Sequence, residues 1–213
     1  MLDSLVVLYP WLAVLAAYLV GSLSFAVIVS RAMGLNDPRT FGSKNPGATN
    51  VLRSGSKAAA IVTLLMDAIK GWLPVMLVKW YGGPYGLSDG TIAMVGLAAF
   101  LGHLFPVFFR FVGGKGVATA LGVLLATSWI LGLAIGFTWL VAAYLSRYSS
   151  LSSLAAALLA PVYYLFGDGV VWVMNRNVMF ALVVMSGLLI WRHAENITRL
   201  LKGTESRLGK KKK

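Results

Sequence analysis

The 213-residue sequence has no cysteine, two histidines and seven acidic residues against nineteen lysines and arginines. Without cysteine there are no disulfides and no thiolate metal ligands, and the redox compartment cannot be read. So few carboxylates leave no acidic metal cluster, so no metal site and no cofactor are expected. Charged residues make up 12% of the chain, about half the roughly 25% of an ordinary soluble domain. That deficit excludes a soluble globule and a disordered chain. What fills the sequence is apolar: 58% hydrophobic residues with a mean hydropathy of +0.78. These residues fall in blocks of about 20, the length that crosses a bilayer as helix. The pattern predicts an all-α, polytopic membrane protein with one integral-membrane domain over residues 1–213.

The net charge of +12 would suggest nucleic acid in a soluble protein. Here the cations sit mostly between apolar blocks and in Lys210–Lys213, which reads as a topology signal. Attraction to anionic membrane lipid or to an anionic substrate adds to it, and no nucleic-acid partner is expected. Residues 1–30 carry no basic n-region and no small-residue cleavage site, so they read as a retained first span. Apolar blocks run over 4–30, 56–80, 91–109, 116–146, 151–167 and 170–191. The fourth is long for one span and short for two. Segments 31–57 and 192–213 hold most of the cations and should both be cytoplasmic. Both lie inside only if the fourth block folds back near Thr127-Ser128-Trp129. Seven transmembrane helices follow, with the N-terminus outside and the C-terminus in the cytoplasm. The polar segments 39–53, 110–116, 147–153 and 192–205 then share the cytoplasmic face.

Five segments carry candidate chemistry. In Phe41–Arg53, Gly42 and Gly47 permit positive φ and Pro46 fixes one φ. Ser43, Asn45, Thr49, Asn50 and Arg53 supply hydroxyl, amide and guanidinium groups around them, the parts of a phosphate cradle. A capped loop would use the same residues, but connections are ordinarily shorter. In Gly102–Gly116, His103 and Pro106 precede the turn Gly113-Gly114-Lys115-Gly116. Glycines admit close backbone approach to an anion, a helix start adds partial positive charge, and Lys115 adds a full one. It is not a nucleotide P-loop, because Gly116 rather than Ser or Thr follows the lysine. In Trp191–Glu205, a helix continuing past the span would place His193, Asn196 and Arg199 on one face. Asp67 and Lys70 lie inside the second block, spaced for a mutual ion pair, with Gly71 allowing close helix packing. Direct substrate contact is the alternative for that pair. In Arg147–Ser153, a serine N-caps the following helix or Ser150 contacts a phosphate. No H-x-x-x-x-D acyltransferase motif is present, since Phe108 and Thr198 stand where Asp is required, and there is no G-x-S-x-G elbow.

The chain resembles the bacterial acyl-phosphate:glycerol-3-phosphate acyltransferase family. The resemblance rests on GSLSFA at 21–26, GSKNPGATNVLR at 42–53, DAIKG at 67–71, GHLFPVFFRFVGGKGVATALG at 102–122 and HAENITRLLKGTE at 193–205. One departure is Lys44, where the family commonly has glycine, so the local turn shape is the point to check. The resemblance implies transfer of a fatty acyl group from acyl-phosphate to glycerol 3-phosphate in the bacterial inner membrane. The products are lysophosphatidic acid and phosphate, the first acylation step of phospholipid synthesis. It maps substrate binding onto Ser43, Arg53, Lys115, His193 and Asn196, with Ser150 a further contact. His193 and Asn196 are the catalytic candidates, and the glycine turn is the phosphate loop. The enzyme that makes acyl-phosphate is the implied protein partner. A competing reading is a small transporter of a phosphorylated solute, using Asp67 and Lys70 as relay groups. No inverted repeat of half-chain length supports it.

Overall fold

The computed structural model describes residues 7–209, so the start of the first apolar block and Lys210–Lys213 lie outside the described residues. Those residues form ten α-helices and no strand. The first block is broken in two: α1 (Tyr9–Gly21) and α2 (Phe25–Ala32) meet at 43°. The short α3 (Ala48–Leu52) leads to α4 (Lys57–Tyr81), whose start is capped by the Ser56 hydroxyl accepting from the Ala59 N–H. Helix α5 (Asp89–Leu104) stops ahead of Pro106, which cannot supply the next helical N–H. The long fourth block divides at Ser128 into α6 (Val117–Thr127) and α7 (Trp129–Ser146). Next come α8 (Ser149–Phe166), α9 (Arg176–Arg192) and α10 (Ala194–Leu201), the last two bent by 55°.

Two sequence expectations change in this part of the chain. The last span starts at Arg176 rather than 170, because Asn175 caps it by accepting from the Asn177 and Val178 N–H groups. Nor does its helix run straight on: it bends at His193, whose backbone ends α9 and opens α10. Four helices are long and apolar enough to cross a membrane, six if each bent pair is one span, and α6 is an apolar helix of only 11 residues.

Register fixes the helix directions. Gly132 packs on Leu125 and Gly136 on Leu121, so α6 and α7 form an antiparallel hairpin about Ser128. Gly71 lies against Thr119, and the Lys79 ammonium donates to the Ala126 carbonyl at 2.9 Å. Those two contacts keep nearly the same offset, so α4 and α6 run parallel. Helix α5 is antiparallel to both, with Gly96 against Val75 and Val123 and with Gly116 against Phe100. The starts of α5 and α9 meet through Asn175 and Asp89. Their ends also meet, through Arg192 and the Gly113 carbonyl. Every glycine-rich or hydroxyl-rich segment singled out above is thereby gathered at one end of the bundle.

Contact between α4 and α6 depends on small residues. A Cβ on Gly71 would overlap the Thr119 carbonyl, and one on Gly122 the Ala68 carbonyl. Small-residue contacts of this kind let transmembrane helices pack backbone to backbone. Overpacking such a contact costs about 1–3 kcal/mol. Gly122→Leu should therefore lower the thermal unfolding midpoint in detergent. Gly187→Leu, at a helical glycine with open space beside it, should leave the midpoint unchanged or raise it.

Candidate active site

The loop before α4 is folded by one side chain. Buried Asn50 donates through Nδ2 to the carbonyls of Pro38 (2.6 Å) and Phe41 (3.1 Å). Its Oδ1 accepts from the Ser43 N–H at 3.0 Å and from Arg53 at 3.3 Å. Asn50 therefore shapes the loop and keeps no amide group free for a ligand. Gly42 uses its positive φ of 61°. Gly47 does not: it is extended at φ −157°, which any residue adopts. Lys44 sits at φ 55°, in the left-handed region that glycine occupies freely. The turn thus keeps a glycine-type backbone under a lysine, at a local cost of about 1–2 kcal/mol. Ser43 and Thr49 are exposed and Asn45 half-buried on the outer side of this loop.

The glycine–lysine turn is built from the end of α5. Two consecutive non-glycine residues, Arg110 at φ 54° and Phe111 at φ 60°, reverse the chain after Pro106. Gly113 then packs on the His103 and Leu104 carbonyls, where a Cβ would overlap both or nearly so. The Gly114 N–H donates to the His103 carbonyl at 3.1 Å. A Cβ on Gly114 would meet the His103 imidazole and, at 2.9 Å, the Pro46 carbonyl, so the first loop rests directly on this turn. Gly116, at φ 83°, starts α6. The Arg192 guanidinium holds the turn from α9, donating to the Gly113 carbonyl at 2.8 Å and the Gly114 carbonyl at 3.2 Å.

The third and fifth segments close around the Lys115 ammonium, which donates to Asn196 Oδ1. Asn196 in turn donates to Glu205 Oε1 at 2.6 Å. The Ser150 hydroxyl reaches the same oxygen at 2.8 Å, and Arg199 Nε donates to Oε2 at 2.7 Å. Arg53 closes the first loop over the top, bonding Ser206 at 2.6 Å. Thr49 lies 3.4 Å from the hydroxyl of Ser149, at the start of α8. The expected serine cap is not made there: Tyr148 is the capping position, without a side-chain bond, and Ser150 faces Glu205 instead. Buried His193 stands at the bend with Nδ1 2.8 Å from the Leu189 carbonyl. A carbonyl only accepts, so Nδ1 carries the proton and Nε2 keeps its lone pair.

Three cations, Arg53, Lys115 and Arg199, thus converge with hydroxyl and amide donors around one carboxylate, and Arg192 holds the turn beside them. Burial alone would raise the Glu205 carboxyl, but hydrogen bonds from Arg199, Asn196 and Ser150 outweigh it and hold it below the usual carboxylate range. Desolvation, reinforced by the Arg199 charge, pushes the Lys115 ammonium down to about 8. Sequence reasoning singled out neither Arg192 nor Glu205. The available signal for the second was a carboxylate, one of only seven acidic residues, standing in a segment of cations. Among the described residues, no group of three or more His, Asp or Glu side chains is placed to hold a metal.

An all-helical bundle with several apolar spans, carrying a cluster of partly buried cations at one end, defines a multi-pass membrane protein. The family profile described as glycerol-3-phosphate acyltransferase matches residues 11–203. A glycerol-3-phosphate acyltransferase of Albidiferax ferrireducens is 72% identical, covering 99% of this chain and 94% of the relative. One of Paraburkholderia phytofirmans is 61% identical over 92% of this chain and 90% of its own length. The fold is similar to the crystal structure of PlsY (YgiH), an integral membrane glycerol 3-phosphate acyltransferase, in its glycerol 3-phosphate form. That likeness has a TM-score of 0.86 at 39% identity, over 94% of this chain and 96% of that one. The lysophosphatidic acid form of the same protein gives a TM-score of 0.84 at 38% identity. The chain belongs to the glycerol-3-phosphate acyltransferase family.

The lowered Lys115 group sets a pH dependence. Below about 8 it is an ammonium, and as the pH rises through that value the site loses a cation. Affinity for inorganic phosphate, measured calorimetrically from pH 7 to 9.5, should therefore fall on the alkaline side. Lys115→Arg should flatten that fall, since a guanidinium stays charged throughout.

Proposed function

We propose that this single-domain protein acts as a seven-span acyltransferase of the bacterial cytoplasmic membrane, with its N-terminus outside and its C-terminus and active site facing the cytoplasm. It transfers a fatty acyl group from acyl-phosphate to the 1-hydroxyl of glycerol 3-phosphate. The products are 1-acyl-glycerol 3-phosphate (lysophosphatidic acid) and phosphate. The observation that carries this reading is the convergence of Lys115, its glycine turn, Ser150, Asn196, Arg53 and Arg199 in a family one of whose members is described with glycerol 3-phosphate and with lysophosphatidic acid. The hairpin about Ser128 supports the seventh span, since it returns both Arg147 and the basic C-terminal segment to the side of the first loop. The same polar groups gather at one end of the bundle instead of around a midplane cavity, which favours an enzyme over a transporter.

Both substrates carry phosphate, so fixed cations and backbone donors serve binding and charge neutralisation together. In the proposed step the glycerol 3-phosphate hydroxyl oxygen attacks the acyl carbonyl carbon. The bond from that carbon to the bridging phosphate oxygen breaks, and inorganic phosphate leaves. The hydroxyl proton passes to His193 Nε2 or to a phosphate oxygen of the substrate. Acyl-phosphate is an activated mixed anhydride, so orientation suffices and no protein nucleophile is required. Ser43, Asn45 and Thr49 border the mouth of the site, Gly113, Gly114 and Gly116 shape its floor, and Asn196 orients Lys115. The donor-producing enzyme is the proposed protein partner at the cytoplasmic face.

The test offers palmitoyl-phosphate and palmitoyl-CoA separately to purified protein with glycerol 3-phosphate, following lysophosphatidic acid and released phosphate. Product should form from palmitoyl-phosphate alone and be lost in Lys115→Ala. Product from neither donor overturns the enzyme reading, and product from palmitoyl-CoA overturns the donor. With His193 as general base, His193→Ala should lower kcat by about 10²–10⁴-fold. A near-normal kcat in that variant assigns the proton to a substrate phosphate.

A further inference from the structure

The buried charges of α4 remain unused by the reaction above. Asp67 and Lys70 form an ion pair of 2.7 Å with both side chains almost fully buried. Lys70 also donates to the Leu23 carbonyl at 2.6 Å, in the break between α1 and α2, and lies 5.6 Å from the Phe25 ring centroid. The same carboxylate oxygen, Asp67 Oδ1, also lies 3.6 Å from His103 Nδ1, a ring nitrogen with no hydrogen-bond partner. The other side of that imidazole faces the phosphate turn, for a Cβ on Gly114 would fall on its Nε2. The His103 carbonyl meanwhile accepts the Gly114 N–H at 3.1 Å. Depth agrees with these contacts. Asp67 lies one helical turn before Gly71, which packs on Thr119 near the start of α6, so it stands close to the level of the turn that precedes α6. The charges therefore lie directly beneath the turn, not in a separate region of the bundle.

We infer that His103 is a positioning residue for the acceptor phosphate, fixed by the Asp67 carboxylate and setting the backbone of Gly114 and thereby the aim of Lys115. The carboxylate charge favours one orientation of the imidazole, with Nδ1 on the side of Asp67. The ring then forms a rigid wall against which only a glycine fits. Lys70 neutralises Asp67 and covers an orphan carbonyl, so the carboxylate can stay charged at this depth. None of the three side chains touches substrate. Their effect is on the turn, and it should appear in acceptor binding rather than in the chemical step.

The inference rests on the acyltransferase reading for its kinetic arm and includes a binding arm that does not. Single neutralisation of Asp67 or Lys70 leaves an unpaired buried charge, which destabilises on its own. The informative variant is the double substitution Asp67→Asn with Lys70→Met, which removes both charges together, alongside His103→Phe, which keeps a ring and removes its nitrogens. Thermal unfolding, KM for glycerol 3-phosphate, KM for palmitoyl-phosphate, kcat and the Kd for inorganic phosphate are measured for each. Positioning predicts at least one of these variants with a near-normal unfolding midpoint and a KM for glycerol 3-phosphate raised about tenfold. The Kd for phosphate should rise in parallel, while kcat and the donor KM change less than threefold. A folded variant with wild-type KM and Kd overturns the inference. So does a fall in kcat with both KM values unchanged, or a loss of activity that only follows the loss of folded protein. If wild-type protein fails to acylate glycerol 3-phosphate, the acyltransferase reading falls and the phosphate Kd alone decides the positioning role.

Discussion

A helix that breaks inside a membrane-spanning bundle leaves carbonyl oxygens that no water can reach, each costing several kcal/mol if nothing else bonds to it. This chain interrupts its helices repeatedly, and cations meet the exposed carbonyls. Lys70 donates to Leu23 between α1 and α2. Lys79 donates to Ala126 and Thr127, at the turn of the α6–α7 hairpin. Arg192 donates to Gly113 and Gly114, in the turn that joins α5 to α6. The breaks give the bundle its irregular shape, and that shape brings the glycine turn down between α4, α5 and α9.

The cation cluster proposed as the substrate site is a consequence of this arrangement. Because α9 bends at His193, Asn196 and Arg199 swing over Lys115 instead of running away from it. Because α8 starts beside them, Ser150 reaches the same carboxylate. Glu205 joins three donors from two separate helices, and a single acceptor keeps Arg199, Asn196 and Ser150 turned inward. Pairing a carboxylate with several donors offsets its desolvation and orders the groups around it.

Much of this was legible in the sequence, for identifiable reasons. Charge parity located the fold-back at Thr127-Ser128-Trp129 because orientation depends on where cations lie, and Ser128 is where the helix divides. The four polar segments were legible because hydroxyls, cations and glycines are costly between apolar blocks unless they are used. Lys44 illustrates a finer point: its positive φ shows that the turn keeps a glycine-type backbone despite the lysine. The roles of Arg192 and of Glu205 toward Ser150 were not legible, since they act across roughly 80 and 55 positions through packing that no local pattern encodes. Asn50 was read as a ligand contact because an asparagine in a loop has the same appearance whether it binds outward or inward. The level of Asp67 was hidden for a related reason. Depth within one helix says nothing of what lies beside it until the register with α6 is known.

That register also bears on why the proposed chemistry can proceed without a protein nucleophile. Direct transfer between two phosphate-bearing substrates needs both anions held close together, and their mutual repulsion works against that approach. A desolvated set of fixed cations opposes the repulsion more strongly than solvated ones would, because the interaction between charges grows as the effective dielectric falls. Flexible surface lysines would lose that advantage to motion and water. Here Lys115 is held by a turn with no side chains of its own at Gly113 and Gly114, clamped from one side by Arg192 and walled on another by His103. The desolvation that lowers its proton affinity would also strengthen its attraction for a bound phosphate in the proposed reaction. The cost of desolvating these cations is met by the folded bundle before any substrate arrives, so substrate binding does not have to supply it.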